Sequence, residues 1–240
     1  MKTSASFRTT QWNLVLTAAQ KRNNSSAEDA LARLCSIYWF PLYAFCRRQG
    51  RKPHDAEDLT QAFFAHLLHK NGLSSVRREN GRFRNFLLAS IKNFLNNEWD
   101  RIQAQRRGGG CRVISINEED MERQYSSDAT VPLPPDQLFE RKWAWAVLNQ
   151  TMKVLRDEYV SQNNGILFDH LQGFLPGGRG TVSRAELAAE RGVTVGAIDV
   201  AIHRMRHRFG AILRELVSDT VSSDADVDEE IGYLISVLGS

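Results

Sequence analysis

The sequence predicts an all-α protein of two small helical domains joined by an acidic, proline-containing linker, the second domain carrying a helix-turn-helix. Three observations carry this expectation. Apolar residues recur at steps of three and four in nearly every periodic segment, and alternation is confined to a short "RVISI" at 112–116. The stretch from "RRGGG" at 106–110 through "ATVPLPPDQ" is polar, acidic and proline-rich, as linkers are. Beyond it, "SRAELAAERGVTVGAIDVAIHRMRHRF" has the stop and start signals of two helices joined by a tight turn. The expected division is residues 1–107, a linker at 108–137, residues 138–216 and an extension at 217–240, and 240 residues suffice to bury a core.

The elements follow in order. Thr9 or Thr10 can cap a short helix through "WNLVLTAA", and Ser26 with Asp29 offers caps for a longer one that reaches about Arg48 and is closed by Gly50. Pro53 opens the next helix, and Asp55, Glu57 and Asp58 near its start suit the helix dipole. Its stripe of Leu59, Phe63, Phe64 and Leu67 is expected in the core. A basic helix then runs from about Gly81 to Arg107, with Phe83, Leu87, Ile91, Phe94 and Leu95 at helical spacing. The second block begins near Leu138. In its last helix Ile198, Ile202, Met205, Phe209, Ile212 and Leu216 form the buried stripe, so the cations of "AIHRMRHRFG" point outward. No repeat of fixed period is present.

A formal net charge of +3 conceals strong asymmetry. Residues 1–112 carry +11, 113–178 carry −5, 179–216 carry +3 and 217–240 carry −6. Two basic blocks separated and followed by acidic ones suggest a polyanionic partner. Cys35, Cys46 and Cys111 are odd in number and lack CxxC spacing, which supports neither a disulfide framework nor a zinc site and fits a reducing compartment. "MKTSASFRTTQW" has no apolar core, and no run of about 18 apolar residues occurs, so a cytoplasmic protein without membrane insertion is expected.

Ser183 and Glu186 form a capping box, Gly192 permits the positive φ of the turn, and Thr194 can cap the following helix. Ala188 must be small where the helices cross, and Val193 with Ile198 would fix their angle. In a helix-turn-helix the first turns of the second helix enter the major groove, so Val195, Gly196, Asp199, Val200 and His203 are candidates to read base edges. Arg204, Arg206 and Arg208 lie further along, where phosphates are the nearer contact. Earlier in the chain, Arg77, Arg78, Arg82, Arg84, Lys92 and Arg101 are interleaved with Phe83, Phe86, Phe94 and Trp99. That mixture suits single-stranded nucleic acid, although helical spacing assigns most of those aromatics to the core. The acidic start of "DAEDLTQAFFAHLLHK" is either simple capping or a face for a protein, since DNA would repel it.

This combination resembles the bacterial sigma-70 family, specifically the small two-domain sigma factors of the extracytoplasmic-function type. "DAEDLTQAFFAHLL" is similar to the family's polymerase-binding helix, "FRNFLLASIKNFLNNEWDRIQAQRR" to the helix that melts and reads the −10 element, and "AELAAERGVTVGAIDVAIHRMRHRF" to the helix-turn-helix for the −35 element. Residues 27–107 and 138–216 are covered. The resemblance implies core RNA polymerase (β′ and β subunits) and promoter DNA as partners. It implies that Glu57, Asp58 and Gln61 contact the β′ clamp helices, and that Arg77, Arg78, Asn80, Arg84, Lys92, Asn93 and Arg101 lie along the −10 strand. Thr194, Val195, Gly196, Asp199, Val200, His203, Arg204, Arg206 and Arg208 would serve the −35 element. The linker would thread toward the polymerase's active-site channel. No cofactor and no catalytic group of the chain's own is implied, and an anti-sigma partner is left open.

Two departures and two alternatives remain. Many relatives carry a basic residue where Asp199 stands and a polar or basic one where Ala201 stands, so the −35 sequence does not follow. The extension exceeds the minimal pattern. Ile231, Tyr233, Leu234, Ile235 and Leu238 are expected to dock on a helical domain, either as a simple stabilising helix or with the acids shielding a basic face. A stand-alone helix-turn-helix regulator would explain "AELAAERGVTVGAIDV" but not the acidic helix or the aromatic-basic block. A metal reading of His203 with His207 or His66 with His69 lacks a third ligand.

Overall fold

A computed structural model describes residues 25–69, 82–105, 118–126, 132–176, 178, 182–218, 220–221, 223 and 225–239. All regular structure among them is helical. The helices are α1 (Ser25–Arg48), α2 (Pro53–His69), α3 (Phe83–Gln105), α4 (Glu118–Ser126), α5 (Pro135–Ser161), α6 (Gly165–Leu171) with a 3-10 turn at Gln172–Phe174, α7 (Arg184–Arg191), α8 (Val195–Ser218) and α9 (Ala225–Gly239). The expected all-α class holds. Thr9, Thr10, "RVISI", Cys111 and the side chains of Ser26 and Asp29 lie outside the described residues. No described helix is long and apolar enough to cross a membrane.

The chain divides into two compact units, Met1–Ala146 with Val217–Ser240 and Val147–Leu216. These bounds differ from the sequence expectation in two ways. The extension at 217–240 belongs with the first unit, and the stretch expected to be linker contributes α4 to that same unit.

In the first unit, local signals fix the hairpin of α1 and α2. Gly50 takes φ +85°, and the Gly50 amide donates to Arg47 O (3.0 Å) while the Arg51 amide donates to Cys46 O (3.3 Å). These two bonds satisfy carbonyls that a helix end would otherwise leave open, and only glycine adopts that φ cheaply. Pro53 then opens α2, where its missing amide costs nothing. Apolar stripes meet across the helices. Trp39 stacks on Phe64 at 5.5 Å, Tyr38 meets Phe83 edge-on at 5.3 Å, and Phe63 meets Phe94 at 5.6 Å. The expected stripes of α2 (Leu59, Phe63, Phe64, Leu67) and α3 (Phe83, Leu87, Ile91, Phe94, Leu95) are all buried. Cys35 and Cys46 lie in the same core, where burial pushes their thiols up to about 11 and about 12, so they stay protonated and unreactive.

α4 is held by one buried apolar side chain and a set of polar contacts. Met121 is its buried apolar residue, while Arg47 of α1 grips both Glu122 oxygens (2.6 and 2.9 Å), the Tyr43 hydroxyl donates to the same carboxylate, and the Arg47 guanidinium lies 4.9 Å from the Tyr125 ring. From α5, Lys142 donates to Gln124 O at 3.1 Å. The acidic composition of residues 113–137 thus conceals a packed helix.

In the second unit Leu155 of α5, Phe168 and Leu171 of α6 and the stripe of α8 are all buried, and Tyr159 meets Phe168 edge-on at 5.8 Å. In α8, Ile198, Ile202, Met205, Phe209 and Ile212 are buried as expected, joined by Leu213, while Leu216, expected in the same stripe, is half-buried.

The hydrogen bond from Arg47 holds the Glu122 carboxyl below the ordinary carboxylate range. A carboxyl lowered in the folded state stabilises above its unfolded value, near 4.5, and that contribution is lost as pH falls through the folded value. Thermal melts from pH 6 down to pH 3 should therefore show a smaller loss of Tm for Glu122→Gln than for the unaltered chain, the two curves converging at the acid end.

Candidate nucleic-acid interface

The helix-turn-helix is specified residue by residue. At the start of α7, the Ser183 amide donates to Glu186 Oε2 (2.7 Å) and the Glu186 amide donates to Ser183 Oγ (3.2 Å), a reciprocal capping box. At its end Gly192 adopts φ +65°, with its amide on Ala189 O (3.2 Å) and the Val193 amide on Ala188 O (3.0 Å). Thr194 Oγ1 accepts from the Ala197 amide (3.2 Å) and starts α8. Leu187, Ala188 and Ile198 are buried, which fits the need for a small residue at the crossing. Val193 is not: it is 46% exposed, so the interhelix angle rests on Leu187, Ala188 and Ile198 without it.

The outer face of α8 is open. At about 100° per residue, Gly196, Val200, His203 and His207 stand opposite the buried stripe, with Asp199 and Arg204 at its margins. Thr194, Val195, Gly196, Asp199, Val200, His203 and Arg204 are all exposed. Asp199 is paired with Arg184 of α7 at 3.2 Å.

Two of the three arginines are engaged inside their own unit. Arg206 donates through Nε (3.0 Å) and Nη2 (2.7 Å) to Phe174 O, and Arg208 Nε donates to Glu158 Oε2 at 2.8 Å. The Glu158 hydrogen bond raises the Arg208 pKa, and Arg208 in turn lowers that of Glu158. Expected as phosphate contacts, both residues instead tie α8 to the end of α5 and to the 3-10 turn.

The basic face expected on α3 is altered more. Arg84 is only 3% exposed. It forms a fork with Glu230 of α9, Nε to Oε1 at 2.6 Å and Nη2 to Oε2 at 3.2 Å, and Nη1 reaches Glu140 of α5 at 3.0 Å. The Tyr233 ring lies 4.1 Å from its guanidinium and the Trp143 ring 5.0 Å away. Burial opposes the charge, but the Glu230 carboxylate outweighs that opposition and the Arg84 pKa is raised. Arg82 adds contacts to Glu229 (2.7 Å) and Glu230 (2.9 Å), and the Phe83 amide donates to Thr220 O at 3.1 Å. As placed here, Arg84 does not face a nucleic acid.

The sequence reading did not single out Glu230 or Trp143. The signal for Glu230 was a carboxylate inside an apolar stripe, since Val227, Glu230 and Leu234 are the buried positions of α9. Of the five residues expected to dock, Leu234 is buried, Ile231, Tyr233 and Leu238 are half-buried, and Ile235 is 62% exposed.

The remaining α3 candidates are mixed. Lys92 is half-exposed and pairs with Asp136 at 2.5 Å, and Asn93 is exposed. Phe83 and Phe94 are buried and Phe86 is half-buried. Arg77, Arg78 and Asn80, and the side chains of Trp99 and Arg101, lie outside the described residues. On α2, Glu57, Asp58 and Gln61 are half-buried at the margin of the stripe, and Asp58 lies 3.7 Å from His54 Nδ1. His66 packs its ring 5.4 Å from Phe94.

No family model, curated protein or solved structure matches this chain.

Removing one partner of a buried ion pair leaves the other charge stranded in a medium that solvates it poorly. Glu230→Ala should lower the unfolding free energy by about 3 kcal/mol in urea titrations. Glu229→Ala, at a side chain 71% exposed, should change it by less than about 0.5 kcal/mol.

Proposed function

We propose that the chain is a sigma factor, which binds core RNA polymerase and directs it to promoters carrying −10 and −35 elements. The observation that carries this reading is the capped helix-turn-helix whose second helix leaves Val195, Gly196, Asp199, Val200 and His203 open to a major groove. Arg204, with Arg184 and Arg191 on α7, supplies exposed charge beside that face for phosphates. The sequence resemblance adds the second partner. Glu57, Asp58 and Gln61 stand on one side of α2, in a basic block where an acidic face suits a protein better than DNA.

Within this reading, Lys92, Asn93, Arg101, Arg77, Arg78 and Asn80 serve the −10 strand, and Arg84 leaves that set because Glu230 and Glu140 already neutralise it. Arg206 and Arg208 orient α8, while Arg204 is its phosphate contact. The chain works in the cytoplasm and contributes no catalytic group, nucleotide addition being the polymerase's own chemistry. An anti-sigma partner is compatible with this reading and is not required by it.

The test is run-off transcription from a pool of genomic promoter fragments with purified core polymerase, with and without the chain. Discrete new start sites sharing upstream elements are the expected result, and Asp58→Arg should abolish them while leaving the Tm within a few degrees. Absence of start sites, together with tight duplex binding by the chain alone, would replace this reading with that of a stand-alone helix-turn-helix regulator.

A further inference from the structure

Among the described residues, three of the exposed large apolar side chains are gathered at the turn and the start of α8: Val193 (46% exposed), Val195 (43%) and Val200 (49%). At about 100° per residue Val200 stands on the outer face of α8 and Val195 about 140° round from it, so the three valines make the turn and the first turns of α8 apolar without forming a single rim. The polar groups around them have partners within the unit, the Thr194 hydroxyl keeping its own proton to donate. Thr194 Oγ1 accepts the capping bond from Ala197, and the Asp199 carboxylate is held by Arg184. An aspartate also offers only acceptors, so it repels the acceptor-only edge of guanine. Gly196 has nothing within 4 Å of where a Cβ would stand, which leaves room for a base to approach the backbone. Within α8 the first side-chain donor on this face is His203, three residues beyond Val200.

We propose that α8 recognises its duplex chiefly through thymine methyl groups, with Val200 and Val195 as the residues that determine specificity. The inference rests on the promoter-directing reading and deepens it. In the major groove the thymine C5 methyl is the one apolar feature that separates T from C, and it protrudes to where a valine at the groove floor meets it. Guanine, which needs arginine or lysine to bridge O6 and N7, finds no such donor on the first two turns. The exposed cations beside the patch account for its polyanionic partner, Arg184 neutralising Asp199 so that the face is not repelled. Burying one methyl is worth about fourfold in affinity.

The test uses holoenzyme assembled from core RNA polymerase and the full chain to select duplexes from a random-sequence pool. Thymines in the enriched upstream element are then replaced one at a time by deoxyuridine, which removes only the methyl. A loss of about fourfold at one or two positions is expected, and Val200→Ala should bring the thymine-to-uracil ratio at one of them close to one. Arg204→Ala should weaken both versions alike. An enriched element with no thymines, or a ratio of one at every position, would overturn methyl recognition and leave the promoter-directing reading standing. Failure to enrich any sequence would overturn both.

Discussion

The first unit is organised around one buried charge. Arg84 sits at the start of α3 with almost no access to water, a position in which a lone guanidinium would be prohibitive. It is tolerated because Glu230 meets it as a fork, Glu140 takes the remaining edge, and the rings of Tyr233 and Trp143 lie near the guanidinium. The partners come from two distant stretches of chain, Glu140 and Trp143 from α5 and Glu230 and Tyr233 from α9. α3, the first half of α5 and α9 must therefore all be in place before the full set of contacts to Arg84 is made. A hydrophobic contact would permit sliding, whereas a bidentate ion pair fixes register. The acidic C-terminal segment is for this reason part of the fold of residues that precede it by more than a hundred positions.

The second unit rests on different physics. Its helix-turn-helix is written almost wholly in local bonds: a capping box, a left-handed glycine and a threonine cap, each spanning three to five residues. The longer-range polar contacts of α8, from Arg206 to Phe174 O and from Arg208 to Glu158, hold the helix from its flanks. Its far side remains open. On α8, conspicuous cations thus include Arg206 and Arg208, which build the scaffold, and Arg204, which stays exposed at the margin of the open face.

This division explains what the sequence made legible. Stripes such as Leu59-Phe63-Leu67 and Ile198-Ile202-Met205-Phe209 were readable because a helix's own periodicity marks its buried face, and Ser183, Gly192 and Thr194 were readable because caps act within a few residues. What escaped depended on partners distant in sequence. Nothing near Glu122 announces that Arg47, 75 positions earlier, will hold it, so α4 passed for linker. Arg84 looked like a DNA contact because its neutraliser lies 146 residues away in a segment expected to be peripheral. Val193 was expected to help fix the angle between the helices and is instead exposed. Apolar identity at a turn does not reveal which way a side chain faces.

Under the proposed function the outer face of α8 meets promoter DNA only within a polymerase complex, and the most direct measurement compares the Kd of the chain for one promoter duplex with and without core RNA polymerase. A sigma factor should bind that duplex at least a hundredfold more tightly in the presence of core. Equal affinity with and without the polymerase would contradict the account and leave a helix-turn-helix that reads DNA on its own.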